Sequence, residues 1–332
     1  MSVLHLRAQK RLGAAIIVAL ALPALSACGT SSQGAAAIPT GVSAGHSSGV
    51  KPNSVSAPYT FQTINDPSDP TTEILGLNNL SKLCGFYGDP AIGFTVRPPY
   101  NARQFYKQLY PLAAQTVVTS INNTNGIAGW YEDAKGAIFG FTEWEGIWTK
   151  YQNNHLLHDP QYTKLTGLSD DELAVGYYQL NSIDHSFELN LATGKFITIA
   201  PPNATSSAAT GINGKGDVVG WLTLANGATE GWLLKDGLFT VFAYPAAVQT
   251  QGASVDWSDD IAGTFEDTEG NTHGFLLTDV LKIPTWTQID DPSASGETVV
   301  TGINNHHSIV GYYQDAQGNI NGFLALWNKS GS

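Results

Sequence analysis

The chain is short of three things, and each shortage excludes something. It has only two cysteines, Cys28 and Cys84, in 332 residues, so no framework of internal disulfides holds it together. It has 16 Lys and Arg against 28 Asp and Glu, a net charge of −12. That excludes the basic surface that nucleic acid requires and the polybasic face that docks on anionic lipid. It has no long apolar run, because Leu12 to Leu25 is too short for an ordinary membrane span. Catalytic signatures are missing as well. There is no Gly-x-Ser-x-Gly elbow, no His-Glu-x-x-His helix and no phosphate loop.

The apolar stretch is preceded by Arg7, Lys10 and Arg11 and ends in Leu25-Ser26-Ala27-Cys28. This order resembles the signal and lipobox of bacterial lipoproteins. The resemblance implies a signal peptide over 1–27, cleavage before Cys28 and a lipid on Cys28. It places the protein outside the cytoplasm, anchored to the cell membrane or the outer membrane. Residues 28–57 are rich in Gly, Ser and Ala and read as a flexible tether. Cleavage removes three bases and no acid, leaving 13 Lys and Arg against 28 Asp and Glu, a net charge of −15. Cys84 then has no partner and is expected to be a buried structural thiol.

What is present in abundance is repetition. A triplet opening on a small residue recurs six times, as Gly76-Leu77-Asn78, Ser120-Ile121-Asn122, Gly167-Leu168-Ser169, Gly211-Ile212-Asn213, Ser254-Val255-Asp256 and Gly302-Ile303-Asn304. The copies start 44, 47, 44, 43 and 48 residues apart, and each has a glycine nine residues after its small residue. These glycines are Gly85, Gly129, Gly176, Gly220, Gly263 and Gly311. Short alternating β-branched runs separated by turns such as Asp315-Ala316-Gln317-Gly318 read as strands and hairpins. A period in the forties made of short strands predicts propeller blades.

The last copy ends after three strands, and an unattached strand, Tyr59 to Ile64, precedes the first copy. It is followed by Asn65-Asp66-Pro67, matching Asp290-Asp291-Pro292 after a fourth strand. The expected fold is therefore all-β over 58–328, a six-bladed β-propeller of four-stranded blades whose N-terminal strand closes the last blade. The elements Gly-Ile-Asn, Ile309-Val310-Gly311-Tyr312 and His273-Gly274-Phe275, with the variant His185-Ser186-Phe187, resemble the bacterial extracellular HAF repeat. That resemblance implies an exported repeat protein and assigns no catalytic residue.

Loops joining second to third strands, and fourth strands to the next copy, carry 16 of the 28 acids. Asp66, Asp133, Asp267, Asp291 and Asp315 are the candidate ligand-binding carboxylates, although Asp at such places also makes turns. The most irregular loop contains His155, His158 and Asp159. These residues can hold a divalent cation, or His158 can act as a base beside a carboxylate. No cofactor is evident beyond that cation. The expected function is a binding propeller, a monomer at the cell envelope whose partner is a protein, glycan or cation. The rival is a carbohydrate-active hydrolase or lyase using loop-face carboxylates.

Overall fold

The computed structural model describes residues 59–153 and 162–328. The signal segment 1–27, the tether 28–57 with Cys28, and the loop residues His155, His158 and Asp159 lie outside the described residues. Those described form 24 strands and one 3-10 turn, Ala102–Gln104. One up-and-down unit recurs throughout. In the fourth copy, strands Ala204–Ile212, Val218–Leu224, Thr229–Lys235 and Leu238–Phe242 pair antiparallel in sequence order. The sixth copy supplies Thr298–Ile303, Ile309–Gln314 and Ile320–Trp327. The fourth place in its sheet is taken by Tyr59–Ile64, antiparallel to Ile320–Trp327, with Tyr59 opposite Trp327 and Ile64 opposite Gly322.

The sheets are not six separate ones. Two have four strands and two have eight. Each eight-stranded sheet consists of two antiparallel units joined at one parallel pair, Tyr162 with Ile138 or Thr229 with Gln249. Isolated parallel bridges, Thr71 with Ile320 and Thr272 with Glu297, occupy the same place between other copies. The first strand of a copy thus starts beside the third strand of the copy before it. One ladder contact there is enough to merge two units into one sheet.

Steric contact explains the landmark glycines. In all six copies the first strand bulges just before its small residue, for example between Ala209 and Gly211. Beside the bulge a backbone carbonyl presses on the second strand where the glycine passes. A Cβ on Gly220 would fall inside the van der Waals radius of the Ala208 carbonyl oxygen, and the other five glycines meet the same obstacle. Only a residue without a side chain permits that approach.

The Gly-Phe element has an equally plain role. Phe94, Phe141, Phe187, Trp232, Phe275 and Phe323, one per copy, are fully buried, each contributing about 2–3 kcal/mol. The preceding glycine lets the next copy approach. Gly93 abuts Val118, Gly140 abuts Leu165, Gly274 abuts Val300 and Gly322 abuts Ile74. The aromatics after the landmark glycine, Phe86, Trp130, Tyr177, Trp221 and Tyr312, are also buried and act in packing. Cys84 is a buried free thiol, and burial pushes its pKa up.

Candidate functional site

The hairpin-turn carboxylates hold their own turns. Asp133 Oδ1 accepts the N–H groups of Lys135 and Ala137. Asp267 Oδ1 accepts those of Glu269 and Asn271, and Asp315 Oδ1 those of Gln317 and Asn319. These bonds favour the charged form, so all three sit below the usual carboxylate range. For Asp133 the largest cause is the Ala137 N–H; for Asp267 and Asp315 it is the side-chain amide of Asn271 or Asn319. Asp66 and Asp291 lie buried in the loops after Tyr59–Ile64 and after Thr285–Ile289, where they accept the N–H of Ser68 and Ser293. Burial raises the Asp291 pKa. Each of the five accepts at least one N–H of its own loop, while Asp291 Oδ2 is buried without a partner.

The histidine of the His-Gly-Phe element is held by carboxylates. His273 Nδ1 lies 3.1 Å from Asp290 and Nε2 lies 3.3 Å from Asp267, and the ring stacks on Phe265. A histidine so held invites a catalytic reading. The next copy argues otherwise. At the same position Asn321 donates to Asp315 Oδ2 at 3.2 Å and accepts from Asn65 Nδ2 at 2.6 Å. Histidine and asparagine do the same work, tying the hairpin turn to the loop after a fourth strand. His185, at that position in the third copy, stacks on Tyr178, and burial lowers its pKa.

All six first strands line one cavity of about 100 Å³. Each contributes five consecutive residues, such as Thr210 to Gly214 and Thr301 to Asn305. Around it the triplet asparagines link copy to copy. Asn78 Nδ2 donates to the Asn122 carbonyl, Asn122 to Ser169, Asn213 to Asp256 and Asn304 to Asn78. Threonines one position before the small residue form a second set. Thr119, Thr166, Thr210 and Thr301 donate to the carbonyls of Leu165, Ala209, Gly252 and Ile74. Where the triplet ends in Ser169 or Asp256 there is no amide to give, and that link is lost.

Two groups escaped the sequence reading, and a third, Glu73, which the sequence places among the sixteen loop acids, lies instead buried in the first strand Thr72–Leu77. Lys164 sits 4.4 Å from the Trp130 ring centroid and 5.0 Å from that of Tyr162, and burial lowers its pKa. Glu73, 1% exposed, is raised to about 8 by burial and by the neighbouring Glu297 charge. Asp256, Asp260 and His307 gather their ligand atoms within 4.8 Å of one another. Lys164 and Glu73 occupy equivalent positions in their copies, where others carry Val117, Ala208, Gln251 or Val299. A charge at a repeat position that is otherwise apolar or neutral was the available signal.

No protein-family model matches the chain, and no curated protein matches it. Among solved structures, a protein assigned as TolB from Agrobacterium tumefaciens superposes over 82% of this chain and 100% of its own, with a TM-score of 0.54 at 8% identity. The fold is propeller-like. Aleuria aurantia lectin in complex with alpha-methyl-L-fucoside covers 82% of this chain and 92% of its own, at 11% identity and a TM-score of 0.49. A gluconolactonase from Xanthomonas campestris covers 83% and 99%, at 10% identity and a TM-score of 0.47. Identities this low speak to architecture alone.

Proposed function

We propose that the six units close into one six-bladed ring, with Tyr59–Ile64 completing the last blade, and that the ring is a binding module for a basic segment of an envelope protein. Ring closure is supported by the bonds from Thr301 to Ile74 and from Asn304 to Asn78, which run from the last copy to the first, and by the cavity that every copy lines. The HAF-like elements and the lipobox support an exported, Cys28-anchored member of the HAF-repeat proteins. A lipid anchor makes no use of the domain's own charge.

The observation that carries the binding reading is the state of the hairpin-turn carboxylates. Asp133, Asp267 and Asp315 are fixed by their own turns and kept charged. A glycoside-cleaving site needs an accessible carboxyl group that keeps its proton near neutral pH beside a charged partner, and Glu73, which is raised in this way beside Glu297, is buried at 1% exposure. Fixed, permanently charged carboxylates on a rigid frame instead attract a cationic partner. Fluorescence anisotropy with a labelled oligolysine peptide, against neutral and acidic peptides, tests this. Binding is expected for oligolysine alone, weakening from roughly 50 to 500 mM NaCl. The combined Asp133→Asn, Asp267→Asn and Asp315→Asn variant keeps the Oδ1 acceptors and removes three charges. It should weaken binding roughly 10-fold, with some loss of Tm because the Asn271 and Asn319 amides that donate to Asp267 Oδ2 and Asp315 Oδ2 then face an NH2 group. Asp133→Asn alone should weaken binding with little change in Tm. Equal binding of all three peptides would sink the proposal.

A further inference from the structure

The turns between first and second strands carry one arrangement in two forms. Where copies four and five meet, Lys235 Nζ lies 3.1 Å from Asp217 Oδ2 and 2.8 Å from Asp259 Oδ1. Asp217 stands four residues after Asn213, and Asp259 three residues after Asp256. One copy further on, these two positions are Asp260 and His307, four after Asp256 and three after Asn304. Lys235 stands three residues past Trp232; the residue three past Phe275 is Thr278. The junction of copies five and six therefore repeats the anionic pocket without its ammonium group. It also gains a carboxylate, since Asp256 stands where copy four has Asn213.

Two separations in this pocket match those between ligands of one ion, and all three candidate atoms lie within 4.8 Å of one another. His307 Nε2 lies 3.4 Å from Asp256 Oδ2 and 3.3 Å from Asp260 Oδ2. Tetrahedral zinc with bonds of about 2.0–2.1 Å separates its ligand atoms by about 3.3–3.4 Å. The Asp256 side chain is 1% exposed, and its Oδ2 is buried with no hydrogen-bond donor. The Tyr59 hydroxyl, which has Asp260 and Asp256 as its electrostatic neighbours, is likewise buried without a partner. A desolvated carboxylate oxygen facing a second carboxylate and an imidazole nitrogen is stabilised by a cation placed between them.

We infer that Asp256 Oδ2, Asp260 Oδ2 and His307 Nε2 bind a divalent transition-metal ion of the Zn²⁺ class that staples the fifth copy to the sixth. The imidazole selects such ions over Ca²⁺ and Mg²⁺, which prefer all-oxygen shells. The ion takes the role that Lys235 plays one junction earlier. It also makes good a missing bond, because Asp256 has no N–H to offer the next copy as Asn213 does to the Asp256 carbonyl.

Isothermal titration and thermal unfolding of the EDTA-stripped full chain with Zn²⁺, Mn²⁺, Ca²⁺ or Mg²⁺ test the site. One Zn²⁺ per chain is expected, raising Tm by about 5 °C or more at saturation, with little response to Ca²⁺ or Mg²⁺. Asp256→Asn keeps the Oδ1 turn acceptor and restores the amide, so it should fold and lose the zinc response. Thr278→Lys supplies the ammonium in place, so it should raise the metal-free Tm and abolish the zinc response. Replacing His155 and His158 by alanine should leave the response intact. The inference is overturned if Asp256→Asn and Thr278→Lys respond to zinc as the unaltered chain does, or if the His155/His158 change removes the response. Absence of any zinc shift also overturns it, leaving a His307–carboxylate ion pair.

Discussion

Single residues here are set by what the neighbouring strand leaves room for and by what burial does to charge. Gly220 faces the Ala208 carbonyl with no space for a methyl group. Gly220→Ala should cost about 3 kcal/mol or more, seen as a Tm lower by at least about 6 °C; an unchanged Tm would show that the first strand can shift away. Glu73 is the opposite kind of case, a buried acid with its Oε2 unpartnered. Its pKa is about 8 in the fold against 4.5 when solvated. Between those values the unfolded chain has released the proton and the folded chain has not. Stability from this group therefore falls as pH rises from about 4.5 to 8 and is flat above. Glu73→Gln should raise stability by on the order of 3 kcal/mol at pH 8.5 and change little near pH 4.5. Urea unfolding at the two pH values checks this, and an equal gain at both would place the effect outside ionisation.

At the scale of elements, the N-terminal strand matters more than its position beside a tether suggests. Tyr59–Ile64 pairs along its whole length with Ile320–Trp327, and Tyr59 and Ile64 are buried. A chain beginning at Gln62 loses half of that ladder and leaves an open sheet edge. Its Tm should fall by about 10 °C or more, and a Tm equal to that of the longer chain would refute a closing role. The pairing was legible in the sequence because Asn65-Asp66-Pro67 repeats the turn after Trp286 to Ile289. The bulges were not legible. A bulge is a mismatch between two strands, and neither strand's residues alone record it. The single parallel contacts that merge units into eight-stranded sheets were hidden for the same reason.

At the scale of the molecule, the copies are most informative where they differ. Asparagine and threonine links pass from copy to copy beside the cavity that all six first strands line, and the asparagine link fails at Ser169 and Asp256. Lys235 and the Asp256, Asp260 and His307 group mark successive junctions solved by different charges. The hairpin-turn carboxylates were picked out by sequence as a face, and the structure shows each serving its own turn while staying charged. Two of the three metal-ligating candidates at the fifth and sixth copies are 47 residues apart, Asp260 and His307. No linear spacing rule brings them together, because their contact depends on how one unit packs on the next.

The sequence by itself determined the period, the strand and turn chemistry, the glycines and the excess of negative charge. These are local or compositional, and six repetitions make a local signal hard to mistake. Only the tertiary structure decided which carbonyl each glycine must clear, which turns face one another across a junction and which carboxylate oxygen lies buried without a donor. Those facts depend on distances between residues from different copies, which the packing of complete units fixes and no single unit encodes.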